Sequence, residues 1–288
     1  MADERTTPER PSPAAYDDYR DYLRDMIQFL KESGPGFSHR QFARKAGFNT
    51  SSFLKLVIDG KRNLTADSIG RFSKALGLDA RERDAFEALV MFSQAGTDDE
   101  RNRYYQQLRR SPHPVTSAAK MKRSQYEVYS AWHNIPVREM FLLPDFREDP
   151  EWIAKRLKPP VTRSEAQKAL TRLEDLGLVR RNGDGKLELD SPKLSAESPV
   201  ELLAARNYHR EMLTLAASSM DNLPREERNV TSVTIALTRE QYELICREIE
   251  EFGKNLLNRI EDAPRGDEPR EVYVLGMQLF AVTGGKKP

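Results

Sequence analysis

The chain lacks most of the patterns that mark catalytic, metal-binding and membrane proteins. Its 288 residues include a single cysteine, Cys246, so no intrachain disulfide can form. There is no GxGxxG, P-loop, CxxC or HExxH pattern, and the four histidines are too scattered for metal-ligand spacing. No apolar run approaches the roughly twenty residues that a membrane span needs. These absences predict a protein that is not an enzyme, carries no metal or cofactor, and does not enter a membrane.

The N-terminus also lacks the apolar core of a signal peptide. Residues 1–15 are polar and contain three prolines. Segments of this composition bury too little apolar surface to fold on their own. We therefore expect a disordered tail over residues 1–15 and a cytoplasmic protein.

Charge is plentiful but unevenly placed. Charged residues make up 32% of the chain and hydrophobic residues 38%, which is typical of a globular protein, and the net charge is only +1. Between Ser38 and Leu64, however, Asp59 is the only acid. A local positive surface of this kind is what the phosphates of duplex DNA require, whatever the total charge. The bases of this stretch are Arg40, Arg44, Lys45, Lys55, Lys61 and Arg62.

The same stretch has the pattern of two short helices joined by a tight turn. Ser38 suits the N-cap of the first helix, and Gly47 suits the left-handed position after its end. Asn49 or Thr50 is expected to cap the second helix. The predicted apolar positions are Phe42, Ala43 and Ala46 in the first helix, and Phe53, Leu56 and Val57 in the second.

That phase of the second helix leaves other side chains facing outward. Leu54 and Ile58 are expected to protrude, either to touch thymine methyl groups or to pack against a partner subunit. Thr50, Ser51 and Lys55 suit a helix that enters a major groove by its N-terminal end. The pattern therefore favours DNA binding over a plain packing unit of two helices.

From Tyr19 to about Gln94 the chain resembles the lambda-repressor-like class of helix-turn-helix domains. In that class one helix precedes the motif and two follow it, which predicts five helices, with Thr65 capping the fourth. His39 stands where the class usually has glutamine, and one extra residue lies between Lys55 and Gly60. The pattern and the resemblance give these candidate DNA-binding residues: Arg40, Asn49, Thr50, Ser51, Ser52, Lys55, Lys61, Arg62 and Asn63.

We expect this domain over residues 16–97, followed by a basic linker over residues 98–123. The segment from Arg101 to Arg123 contains no acid. It is either a solvated connector or an added contact to the DNA backbone.

A second helical unit is expected over residues 124–190. Its last helix is capped by Thr162 and followed by two short strands around a Gly-rich turn, which predicts a winged-helix-like unit. Such a unit either contacts DNA or serves in dimerisation. The residues that would make a second DNA contact are Arg163, Ser164, Lys168, Thr171, Arg180, Arg181 and Lys186.

Residues 191–288 change character and are mildly acidic. The pattern there predicts a helix over 199–222, a strand over 232–237, a helix over 238–261 and a strand over 272–280, with the strands forming a parallel pair. Two strands are not stable alone, so their partners must come from the winged-helix-like unit, from a second subunit or from further strands. We expect this region to supply dimerisation or effector control. His209 is either a structural histidine or an effector contact.

Further matching residues lie along the chain and include Gly60 to Leu64, Ala75 to Leu78, Gln125, Tyr126, Trp132, Asn207 to His209 and Gln278 to Phe280. With these residues, the whole chain is similar to a family of predicted bacterial regulators that join a lambda-repressor-like helix-turn-helix to a C-terminal domain of unknown function. The predicted fold class is mainly α with a smaller α+β part. The resemblance implies a sequence-specific, double-stranded-DNA-binding transcriptional regulator, expected to be a homodimer. The alternative is an interaction or scaffold protein, antitoxin-like or nucleoid-associated, whose helix-turn-helix units bind other proteins.

Overall fold

Helices make up most of the structure. The computed structural model describes residues 9–33, 37–110, 126–190, 199–262 and 271–284. Over those ranges the fold is mainly α, and its β-structure is one two-stranded antiparallel sheet. The chain divides into two compact units, residues 1–130 with 193–206 and residues 131–192 with 207–288. No helix of the described ranges is both long and apolar enough to cross a membrane.

Before residue 111 the first unit contains six α-helices, and a side-chain N-cap marks the start of each of them except the third. They are α1 (Tyr19–Glu32), α2 (His39–Ala46), α3 (Phe53–Ile58), α4 (Ala66–Leu76), α5 (Ala80–Gln94) and α6 (Asp98–Arg109). The predicted cap of α2 is confirmed, because the Ser38 hydroxyl accepts the Gln41 amide at 3.1 Å. Thr65 and Ser68 form a capping box at the start of α4, also as predicted. Gly47 takes the left-handed conformation, with φ of 69°, that ends α2.

One continuous core holds these helices together. Its largest fully buried side chains are aromatic, because α1, α4 and α5 each direct their apolar stripe inward. Val200, Leu203 and Ala204, which follow much later in the chain, belong to the same core. The aromatic residues at its centre are Tyr19, Tyr22, Phe42, Phe72, Phe86 and Phe92.

The boundaries expected for this unit are wrong at both ends. Residues 9–15 are not disordered, since Ala14 is buried and Arg10 donates to the Gly77 carbonyl at 3.1 Å. Residues 1–8 lie outside the described ranges. The basic linker is also wrong as far as Arg110: Thr97 and Glu100 form a capping box that starts α6, and Tyr105 and Leu108 bury against the core. Its remainder, 111–123, is likewise not described.

The second unit contains the predicted hairpin. It comprises α7 (Asn134–Met140), α8 (Pro150–Arg156), α9 (Arg163–Asp175), β1 (Val179–Arg181) and β2 (Leu187–Leu189), and α9 packs on α7 and α8. Thr162 caps α9 and Gly177 follows it with φ of 65°. The strands pair Val179 with Leu189 and Arg181 with Leu187.

Two long helices follow. These are α10 (Pro199–Asn222), which runs from the first unit into the second, and α11 (Arg239–Asp262), both close to their predicted bounds.

The predicted parallel strands are absent from the described chain. Residues 232–237 and 272–280 have no strand pairing and lie almost entirely exposed. Their β-branched and apolar residues favour an extended backbone. A strand also needs a partner that accepts and donates the ladder hydrogen bonds, and the described part of one chain supplies none here. The predicted parallel pairing of these two stretches with each other within one chain is therefore wrong.

Candidate nucleic-acid interface

An aromatic cluster fixes the turn between α2 and α3. The Phe48 ring lies 4.6 Å from Phe53 and 5.6 Å from Phe72, measured between centroids. Phe72, on α4, also meets Phe42 of α2 at 5.0 Å. The buried Phe72 ring thus contacts α2, the turn and, through Phe53, α3. The relative placement of α2 and α3 is therefore set by packing. The polar residues 49–52 that follow Phe48 are left exposed.

The basic turn after α3 is held from two sides. The Gln94 side-chain amide forms two hydrogen bonds with buried Leu64, accepting its N–H and donating to its carbonyl, both at 2.9 Å. Tyr19 donates its hydroxyl to the same Gln94 oxygen at 3.0 Å. From α1, Arg20 donates to the Val57 carbonyl at 3.2 Å. The turn is thereby tied to both α1 and α5.

The sequence pattern did not reveal the clamp, that is, the hydrogen bonds by which Gln94 and Arg20 hold the basic turn. Gln94 and Arg20 are 74 residues apart and neither belongs to a recognisable motif. The signal that could have found Gln94 is weak: an amide near the end of an otherwise apolar helix. Its partner is a backbone group, which no side-chain pattern can indicate.

All nine candidate DNA-binding residues of the first set are exposed. Asn63 is partly committed, since its side-chain oxygen accepts from Arg20 at 2.7 Å. The four cations of the set, with Arg44 and Lys45, form no ion pair within the described ranges. Other arginines of the same unit are paired, as in Arg71 with Asp67 at 2.9 Å. Residues 40–63 therefore carry six exposed cations without an ion pair in the described ranges, against one carboxylate, that of Asp59.

Two details predicted for α3 are wrong. The helix begins at Phe53 with Ser52 at its N-cap position, so neither Asn49 nor Thr50 caps it. Leu54 is 2% exposed and Ile58 is partly buried against the core, so neither protrudes. The buried stripe is Leu54, Val57 and Ile58, because the neighbouring rings of Phe48 and Phe72 hold Phe53 at the edge of the core.

The second candidate set, around the hairpin, is also exposed, and two of its five cations, Arg180 and Arg181, are paired with carboxylates. Arg181 pairs with Glu174 at 2.9 Å and with Glu148 at 3.1 Å, and hydrogen bonds to Glu174 and then Glu148 raise its pKa. Arg180 lies 3.7 Å from Asp190. These pairs reduce the positive potential available to a phosphate. The other members, Arg163, Ser164, Lys168, Thr171 and Lys186, are exposed on α9 and the hairpin turn.

A domain of unknown function, DUF4423, matches residues 115–282. This range covers more than half of the 288 residues. The chain belongs to the DUF4423 family. The DUF4423 match includes the hairpin, α10 and α11, but it does not include α1 to α5. Searches of curated proteins and of solved structures find no match.

Inside the DUF4423 domain, buried polar groups were missed by the sequence pattern. His133 is 5% exposed, and burial lowers its pKa. Burial likewise raises the pKa of Glu211 on α10, although the Trp132 backbone donates to this carboxylate. His209, the candidate effector residue, is instead exposed, with its ring 6.2 Å from that of Tyr208. Its surroundings in the described ranges do not form an enclosed site.

Proposed function

We propose that the chain is a homodimeric, sequence-specific DNA-binding transcriptional regulator. In this proposal α2 and α3 are the two helices of a lambda-repressor-like helix-turn-helix. The DUF4423 domain contains a winged-helix-like unit and supplies dimerisation or effector control. DNA recognition would rest on residues 40–63, because phosphate contacts supply most of the affinity for duplex DNA and require uncompensated cations.

The observation that carries the proposal is the contrast between the two basic surfaces. Arg40, Lys55, Lys61 and Arg62 are exposed and unpaired within the described ranges, whereas Arg180 and Arg181 are held by carboxylates. A cation already bound to a carboxylate gains less from a phosphate, since the existing pair must first be broken. We therefore assign the first surface to DNA and expect a smaller contribution from the hairpin.

Selection from random duplex DNA at low salt tests this function directly. Enrichment of an inverted repeat, with half-sites about one helical turn apart, is the expected outcome for a dimer. If no sequence is enriched, the regulator proposal fails. Binding of an unrelated protein by residues 40–63 would then support the interaction or scaffold alternative.

Lys55→Ala and Lys61→Ala are each expected to weaken binding to all DNA sequences alike. Each change removes one phosphate contact, so affinity should fall about fivefold and the slope of log affinity against log salt should decrease by about 1. Fluorescence anisotropy across a salt series measures both quantities. Lys155→Ala is the matched control, because Lys155 is exposed but paired with Glu151 at 3.0 Å in the other unit. A loss confined to one base position would contradict the assignment.

Thr50→Ala is expected to change sequence preference without changing stability. Thr50 is exposed and is not the N-cap of α3, so its hydroxyl is available to a base edge. Thr65→Ala is the contrasting control, since Thr65 caps α4 and its loss should lower stability by about 1 kcal/mol. Selected-site logos and melting temperatures of the two variants make the comparison. A lower melting temperature for Thr50→Ala with an unchanged logo would refute the role in base reading.

A further inference from the structure

The described residues beyond Met212 include no fully buried side chain. The segment nevertheless includes the end of α10, all of α11 and two extended stretches. The apolar side of α11 is only partly covered: Ile245, Ile249 and Leu256 are half-buried, and Leu244, Phe252, Leu257 and Ile260 are exposed. A segment that removes so little apolar surface from water cannot offset the entropy cost of being ordered. Something outside one copy of the described chain must cover it.

The exposed apolar residues are concentrated in this segment. Of the 17 large apolar residues that are exposed in the described ranges, all but Leu142 and Leu202 lie after Met212. With each exposing on the order of 100 Å², the set exceeds the ~800 Å² that one partner contributes to a standard interface. It is also larger than the patches that monomers commonly expose. The area is therefore sufficient for a stable dimer.

The two extended stretches have the composition of strands without a partner. Residues 229–238 carry no charged side chain, and residues 271–282 carry one, Glu271, which pairs with Arg156 at 3.4 Å. No backbone hydrogen bond joins residues 229–237 or 271–282 to other described residues. Open strand edges normally carry charges or prolines that prevent pairing. These stretches have no such protection, so they are suited to pairing with another strand.

We propose that these two extended stretches pair with those of a second copy of this chain, forming one sheet shared between the two subunits. Uncharged edges meet no like-charge repulsion when two identical copies approach, and a two-fold arrangement covers both copies equally. This inference rests on the dimerisation part of the proposed function and specifies its surface. It does not require that the chain bind DNA.

The side-chain pattern places the stretches within such a sheet. Val233, Ile235 and Leu237 alternate with small or polar residues, which suits a strand with one face covered. Residues 272–280 are apolar on both faces, which suits a central strand. Their Met277 side chain already lies beside α11, 3.9 Å from where a Cβ at Gly253 would stand. Residues 272–280 are therefore the central element of the shared sheet, with α11 over one face.

Sedimentation velocity and amide hydrogen exchange on the full-length chain test this inference together. At micromolar concentration we expect a dimer in which the amides of 230–237 and 271–282 are protected from exchange. Leu275→Lys should raise the dimer dissociation constant about 100-fold, because the lysine enters the interface once from each copy. Protection of both stretches should fall in the same samples. Leu142→Lys is the matched control, since Leu142 and Leu275 are 56% and 59% exposed, and it should leave the dimer intact.

Several results would overturn the inference. They are a monomeric unmodified chain, a dimer whose two stretches exchange as fast as unstructured peptide, and a Leu275→Lys chain that keeps both the dimer and the protection. If Leu275→Lys precipitates, the measurements on the unmodified chain decide. A monomer that still selects a DNA sequence would refute this inference and the dimerisation part of the proposed function, but not DNA binding. A dimer with protected stretches that selects no sequence would refute only the proposed function.

Discussion

Phe72→Ala is expected to lower the unfolding free energy of the first unit by about 3–5 kcal/mol, the largest effect of any single substitution considered for this protein. The Phe72 ring is fully buried and contacts Phe42, Phe48 and Phe53. Its removal leaves a cavity beneath the turn between α2 and α3. Because the same ring sets the placement of both helices, DNA affinity should fall as well. Denaturant unfolding and anisotropy binding measure the two losses.

Phe37→Ala is the matched control for that prediction. Phe37 is only half-buried, at the edge of the core, with its ring 6.4 Å from Phe42. Its truncation should cost about 1 kcal/mol, since less apolar surface is lost and solvent can fill the space. Equal losses of stability for the two variants would show that Phe72 does not contribute more to the aromatic cluster than Phe37 does.

Gln94→Ala is expected to destabilise the first unit by about 3 kcal/mol. The substitution leaves the N–H and the carbonyl of Leu64 without their partner, and an unsatisfied buried polar group costs roughly 1–3 kcal/mol. The basic turn of Lys61 and Arg62 should also become more mobile, so DNA affinity should decrease although no DNA contact is removed. Chemical denaturation, together with exchange of the Leu64 amide, tests both effects.

Gln28→Ala provides the comparison for Gln94→Ala. Gln28 is exposed on α1 and its side chain meets only Glu32 of the same helix. Its loss should change stability by no more than a few tenths of a kcal/mol. The assigned clamp would be refuted if Gln94→Ala were equally mild, or if the Leu64 amide exchanged at an unchanged rate.

The helices of the first unit could be predicted because their signals are local. A cap such as Ser38 or Thr65 bonds to an amide three residues away, and Gly47 adopts a backbone angle that other residues resist. The phase of α3 could not be predicted in the same way. Its six residues are nearly all apolar, so periodicity gives no preferred face, and the rings of Phe48 and Phe72 decide which side chains are buried.

The prediction of a linker and the prediction of two paired strands were wrong for opposite reasons. Residues 98–109 appeared to be a connector because of their charge, yet Tyr105 and Leu108 contribute enough apolar surface to dock α6 on α5. Residues 232–237 and 272–280 appeared to be paired strands because of their composition. Composition specifies an extended backbone, but a ladder depends on a neighbour that is distant in sequence or belongs to another molecule.

The sequence by itself determined most of the helices, the caps Ser38, Thr65 and Thr162, the hairpin and the position of the basic stretch, because each depends on residues within a few positions of one another. The tertiary structure alone decided which cations stay unpaired, how Gln94 and Arg20 hold the basic turn, and that no side chain is fully buried in the described residues after Met212. Those properties depend on contacts between residues tens of positions apart, whose free energies come from burial and from satisfying backbone groups. A linear pattern carries no direct record of such contacts.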